Sequence, residues 1–324
     1  MIKKGKKKHM KPVFLIPIIA GSILLVVGGA LIAIGIKNNR SVQRVENLHE
    51  LTGDISNFDI DLQTADFEMK LATDGNKRVV CRETTKEVHE VNLVDGTLSI
   101  KYKDLRKWHE KLFVFDYHRN KVTVYLPADT FESFKFHAST GDVIMPHNYT
   151  FNSFDALLST GDIKTEANVT GATKIETTTG HIYLTGMNTN SVDIKASTGS
   201  INLKDVVVTE DININVTTGA IKLDNVMAKN YTSTSSTGDV TLKNSIFENE
   251  IKITTTTGDV TFDRSDAATV EVNTTTGDVS GTFLSSKIFY AQSTTGRINV
   301  PPSTTGGLCK VNTTTGDISL SIVE

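Results

Sequence analysis

Six aspartates, Asp142, Asp162, Asp239, Asp259, Asp278 and Asp317, each follow a glycine, and those glycines recur every 19 or 20 residues or a multiple of that interval. A column of carboxylates at fixed spacing is a ligand set that a hard cation such as calcium could use, because it takes several oxygen donors. Three observations point instead to a structural column. His181, Ser200, Ala220 and Arg297 fill the same position elsewhere, the calcium-binding nonapeptide pattern is absent, and Asp suits polar turns for local reasons. Two unit charges roughly 4.8 Å apart in water repel by only about 0.9 kcal/mol, so the carboxylates can stand without a metal. No cofactor and no metal are expected.

The remaining chemistry-bearing residues are sparse. His109, His118, His137 and His147 lie close in sequence, yet none of the eight histidines belongs to a nucleophile or zinc motif, and they read as loop or surface histidines. Lysines and arginines are scattered rather than set beside a cluster of acids, so the site of a polysaccharide-cleaving β-helix is not visible and an enzyme is not expected. Cys81 and Cys309 are the only cysteines. Their spacing suggests neither a metal cluster nor a disulfide framework. Cys309 falls at an inward strand position and reads as a small buried hydrophobe.

The element that positions the aspartates is a repeat. Its glycines are Gly141, Gly161, Gly180, Gly199, Gly219, Gly238, Gly258, Gly277, Gly296 and Gly316. Each is preceded by threonine: Thr140, Thr160, Thr179, Thr198, Thr218, Thr237, Thr257, Thr276, Thr295 and Thr315. Seven and five residues before each glycine the side chains are mostly apolar, as in Ile212 and Ile214 or Val270 and Val272; two after it every residue is Val or Ile. Apolar spacing of two on both sides of a polar corner, with abundant Thr, Val and Ile, is a strand pattern. In "VEVNTTTGDVSG", residues 270 to 281, Val270, Val272, Thr274 and Thr276 are expected to share the inward face.

The period decides the architecture. Winding the chain once per repeat stacks like residues on like, which predicts an all-β, single-coil parallel β-solenoid of 19–20 residues per rung, with rungs about 4.8 Å apart. One rung cannot fold alone: ordering 20 residues costs about 20–40 kcal/mol, whereas burying four apolar side chains returns only about 6–12 kcal/mol. Stacking must supply the difference, and the inward threonine hydroxyls are expected to find partners along the stack or on the corner backbone. The regular rungs are assigned to 131–324. Residues 51–130 keep strand alternation without the strict period and read as irregular opening coils or an N-terminal cap, with "LTGDI" at 51 to 55 echoing the later corners. The segment 103 to 120, with the only Trp, reads as a packed excursion and the best candidate for a protruding contact loop.

Ahead of the solenoid, residues 1–12 form a basic tail, 13–36 an uncharged run of 24 residues, and 37–50 a linker. The run would reach roughly 36 Å as a helix, enough to cross a hydrocarbon layer of about 30 Å. It is longer than a cleaved signal's apolar region, so a retained transmembrane helix is expected. Six lysines before it place the N-terminus in the cytoplasm and the rest outside a plasma membrane. Of 34 basic residues, eight lie in the first 40, which leaves 26 against 37 acids in the exterior part. Such an acidic surface does not suit nucleic acid.

The corners "STGDV", "STGDI" and "TTGDI", recurring every 19 or 20 residues after a single N-terminal span, resemble the bacterial "putative adhesin" family of membrane-anchored β-strand-repeat proteins of the cell envelope, which includes accessory proteins of Gram-positive envelope-stress operons. The resemblance covers about residues 45 to 324 and implies an extracytoplasmic solenoid without catalytic activity. It points to a cell-surface interaction protein that binds an envelope polymer or host surface, or else to an accessory regulator that contacts a membrane signalling protein. A flat ice- or glycan-facing surface is argued against by Glu176, Lys195 and Asn215 in the outward column of Thr254. Strand pairing between copies through the C-terminal rung would give a homo-oligomer.

Overall fold

The computed structural model describes residues 43–108 and 119–323. The expected transmembrane helix over 13–36, the basic tail and residues 109–118 of the aromatic excursion lie outside them. Among the described residues no helix is long and apolar enough to cross a membrane, and every regular element is a strand.

The repeats stack as a parallel solenoid. Strand Asn188–Thr198 pairs in parallel with Asp211–Thr218, placing Val192 on Ile212 and Ile194 on Ile214. The next rung continues with Tyr231 on Ile212. After the corner, Ile201, Ile221 and Val240 stack likewise. These internal files are buried, and each side chain meets its equivalents above and below. That arrangement gives one continuous core rather than separate repeat cores.

The corner glycines are compelled twice. Their φ angles lie between +138° and +156°, where an L side chain is strained. A Cβ on any of the ten would sit 1.8–2.1 Å from a carbonyl oxygen of the adjacent rung. For Gly141 that oxygen belongs to Ala65. The "LTGDI" echo is therefore not a corner of the stack: Gly53 lies elsewhere, and Ala65 occupies the place below Gly141.

Thr276 departs from expectation. It and Thr275 are both exposed, and in every rung the residue two before the glycine drops out of the pairing, as Leu158↔Thr177 is followed directly by Thr160↔Thr179. The alternation breaks at that position on every rung alike, so the inward file ends three residues before the glycine.

A second corner lies six residues after the glycine. Asp205, Asn225, Asn244 and Arg264 there have φ between 49° and 57°, and Gly186 has 61°. Asn and Asp tolerate this left-handed conformation better than other side chains.

The order of rungs corrects the simple winding. From Gly141 to Gly277 the rungs follow the sequence. The Gly277 strand, Thr269–Thr276, then pairs with Gly307–Thr315, and among the described residues Lys287–Thr295 pairs only with Gly307–Thr315. The Gly316 rung is therefore inserted between the Gly277 and Gly296 rungs, and the stack ends on the Gly296 rung rather than on the chain's last one. The other end repeats the device. Asn57–Asp61 lies between Thr97–Asp104 and Asp129–Thr140, parallel to both. Ala65–Leu71 lies between Asn120–Leu126 and Val143–Met145. Sequence periodicity records which residues are equivalent, not which equivalents are neighbours.

Antiparallel strands cover the first end. Arg44–Glu50 pairs with Arg78–Thr84, which pairs with Asn120–Leu126, and Glu87–Val94 pairs with Thr97–Asp104. Residues 44–50 thus belong to the cap and not to a linker, because Val45, Asn47 and His49 turn toward its interior.

Candidate functional site

The aspartate column is a hydrogen-bond ladder. Asp162 N donates to Asp142 Oδ1 at 2.9 Å. His181 N donates to Asp162 Oδ1 at 2.8 Å, and Ser200 N to His181 Nδ1 at 3.0 Å. Beyond the gap, Asp259 N donates to Asp239 Oδ1, Asp278 N to Asp259 Oδ1, Asp317 N to Asp278 Oδ1 and Arg297 N to Asp317 Oδ1, all within 2.9 Å. One carboxylate oxygen per rung is committed to the backbone of the next. Asp66 opens the ladder by accepting from Asp142 N, a member that sequence spacing missed because no glycine precedes it. Arg297 closes it with a guanidinium bond to Asp317, and its donors hold the Asp317 carboxyl below the usual carboxylate range.

The inward hydroxyls three residues before the glycines are only partly satisfied. Ser293 Oγ donates to Gly316 O at 2.9 Å and Thr313 Oγ1 to Gly277 O at 3.2 Å. Thr177, Ser235, Thr255 and Thr274 have buried hydroxyls without a partner among the described residues.

The broad outward face of the long strands carries ion pairs along its length, and in its far part Lys252 and Lys310 lie 3.4 and 3.8 Å from Glu271, next to Asn273. Toward the cap its charges pair, Lys101 lying 3.1 Å from Asp59 and Lys174 and Lys195 3.3 and 3.5 Å from Glu176, while His137 Nδ1 lies 3.4 Å from Asp61. Farther along, the file four residues before each glycine reads Asn215, Thr234, Thr254, Asn273, Asn312 and Gln292 in spatial order. Six consecutive rungs thus present neutral hydrogen-bonding side chains, with Asn312 Nδ2 donating to Asn273 Oδ1 at 2.9 Å. The Glu176 and Lys195 that interrupt this column in sequence lie together at one end of it.

Two buried polar clusters flank this face at opposite ends. Near the open end, the fully buried Lys287 ammonium contacts the Asp266 carboxylate and lies 2.6 Å from Ser285 Oγ. In the cap, Cys81, Glu83 and His89 are buried together. Both cysteines are free, and burial pushes each thiol up to about 12, with the Glu83 charge adding to the effect at Cys81. Neither is poised as a thiolate nucleophile. The cap cluster escaped sequence reading because "CRETTKEVH" has no recognised ligand spacing. Of the four clustered histidines, His137 and His147 lie apart, against Asp61 and Glu166 respectively; His109 and His118 are outside the described residues.

The stacked glycine corners and the wound parallel strands match the family model named Toastrack DUF4097 over residues 55–210 and again over 207–324. The chain belongs to the Toastrack DUF4097 family. Among solved structures, this Toastrack chain is similar to a putative adhesin from Parabacteroides distasonis, with 12% identity, a TM-score of 0.51 and coverage of 74% of this chain and 98% of that one. It is also similar to a putative lipid binding protein from the same organism, at 14% identity and TM-score 0.50, covering 86% and 97%. At these identities the likeness is one of fold. No curated protein matches the Toastrack sequence. The two family matches meet within the solenoid, where the rungs run on without a break in pairing.

Proposed function

We propose that this Toastrack protein is a non-enzymatic interaction module, anchored through residues 13–36 in a bacterial plasma membrane with its solenoid outside, that binds a neutral, hydroxyl-rich envelope polymer along its broad face. The file Asn215, Thr234, Thr254, Asn273, Asn312 and Gln292 carries this reading. It offers donors and acceptors at the rung interval of about 4.8 Å with no net charge along it, which suits a polyhydroxylated chain better than a charged ligand. Charge pairing elsewhere on the face argues in the same direction, and nothing in the acidic exterior favours nucleic acid. The structural relative described as an adhesin is compatible with a surface role.

The test is co-sedimentation of the full chain, in detergent, with insoluble cell-wall polysaccharide. Asn215→Lys combined with Thr254→Lys is expected to weaken binding at least about tenfold, since each lysine places an unpaired charge against a neutral ligand. Unchanged binding in that variant, or none in the parent, overturns the reading. The alternative, an accessory regulator of envelope-stress signalling, is favoured if deletion in cells alters the stress response while wall attachment and polysaccharide binding stay intact.

A further inference from the structure

We propose that the cap at the start of the solenoid binds one thiophilic divalent cation, zinc by its chemistry, through Cys81 and His89 with Glu83. Cys81 and Glu83 are two residues apart on strand Arg78–Thr84 and so share a face. His89 enters from strand Glu87–Val94. One donor atom from each lies within 4.8 Å of the others, and the three residues are at most 3% exposed.

The hydrogen bonding around them is built as for a ligand. Glu83 Oε2 lies 2.6 Å from His89 Nδ1 and accepts from His89 N at 2.7 Å, while Asn47 Nδ2 donates to Glu83 Oε1 at 2.6 Å. A carboxylate that holds one nitrogen of an imidazole and leaves the other free is the supporting arrangement of metal-bound histidines. Here the other nitrogen, Nε2, is buried and has no hydrogen-bond partner. His49 lies on the same face of strand Arg44–Glu50, two residues from Asn47, which opposes Cys81. Its Nε2 is likewise buried without a partner.

The charges also fit. A cation of charge two, one thiolate and the Glu83 carboxylate sum to zero. Binding breaks the Cys81 S–H bond, forms a metal–sulfur bond and releases that proton to solvent. His89 coordinates as neutral imidazole, through Nε2 as it stands or through Nδ1 once the shared proton moves to Nε2. A sulfur and an imidazole nitrogen select zinc over calcium or magnesium. This site is independent of the polymer-binding face.

The experiment uses the full chain in detergent, stripped of metal and titrated with cobalt(II) chloride. One equivalent is expected to produce tetrahedral visible bands and a near-ultraviolet thiolate-to-cobalt transition, both abolished by zinc chloride. The thiolate transition should vanish in Cys81→Ala and persist in Cys309→Ala. Should Cys81→Ala fail to fold by circular dichroism, zinc X-ray absorption of the parent decides: a single sulfur neighbour supports the site and none overturns it. Absence of the cobalt transition in the parent, or its survival in folded Cys81→Ala, also overturns it.

Discussion

At Gly219 the Cβ of an alanine would stand 2.0 Å from Gly199 O, on a backbone with φ of +154°. No rotamer relieves a clash with a neighbouring backbone, so Gly219→Ala is expected to destabilise the solenoid by at least about 3 kcal/mol through strain and overpacking together. Urea denaturation of the variant checks this. The aspartates of the column act by accepting one backbone N–H each. Asp259→Ala should lower the melting temperature by about 2 °C, as expected for one exposed hydrogen bond in a chain of this size. Asp259→Asn, whose Oδ1 still accepts from Asp278 N, should restore it. Calcium is expected to shift neither; a calcium-dependent rise in the parent that Asp259→Asn abolishes would show that the column holds a cation. Thr255 offers the opposite case. Its buried hydroxyl has no partner, and Val216 occupies the same file in the Gly219 rung, so Thr255→Val should raise stability by about 1 kcal/mol in the same denaturation experiment.

The strands differ in how they are held. Interior strands pair on both edges and are interchangeable in outline, which is why a single pattern describes them. Strand Lys287–Thr295 has one partner only among the described residues, and its first side chain carries a buried charge. Lys287 reaches Asp266 on a rung that the chain has already passed. It thereby ties the displaced rung to the body of the stack. Lys287→Ala would leave Asp266 without its counter-charge and is expected to cost about 3–5 kcal/mol, measurable by thermal melting. Replacing both members with apolar residues should recover much of that loss, because the pair's desolvation cost disappears with its attraction. The second corner behaves differently again. Gly186, Asp205, Asn225 and Asn244 form a column of turn-forming types six residues after the glycine, and Arg264 breaks the composition while keeping the conformation.

Across the whole molecule, the inserted rungs make a prediction that linear winding does not. Asn273 and Asn312 are direct cross-strand neighbours, whereas Gln292 lies one rung beyond Asn312. Asn273→Cys with Asn312→Cys should therefore oxidise to a disulfide, since neighbouring strands bring Cα atoms within the required range of about 4.4–6.8 Å. Asn273→Cys with Gln292→Cys, separated by two rung intervals, should not. Mass spectrometry of the oxidised proteins distinguishes the outcomes, and the reverse result would restore sequence-order stacking. By the same geometry, removing residues 300–324 takes away the strand paired with Lys287–Thr295. Hydrogen exchange should then show lost protection across that strand with the Gly199 and Gly219 rungs unaffected.

Much of this protein was legible from its residues because a solenoid writes its period into the chain. Equivalent side chains must meet, so Ile194 and Ile214 share a type. A corner that lets backbones touch admits only glycine, so ten glycines announce ten corners. Those constraints are local to a rung, and a rung is local in sequence. The tertiary structure alone decided what depends on contacts between distant segments: the insertion of the last rung before its predecessor, the matching insertion of 57–71, the reversal of Thr276 to the surface, and the meeting of Cys81, Glu83 and His89 beneath Asn47. Equivalent rungs present nearly the same edge, so the pattern that makes them stack cannot specify which neighbour each takes. That choice falls to single contacts such as Lys287 with Asp266.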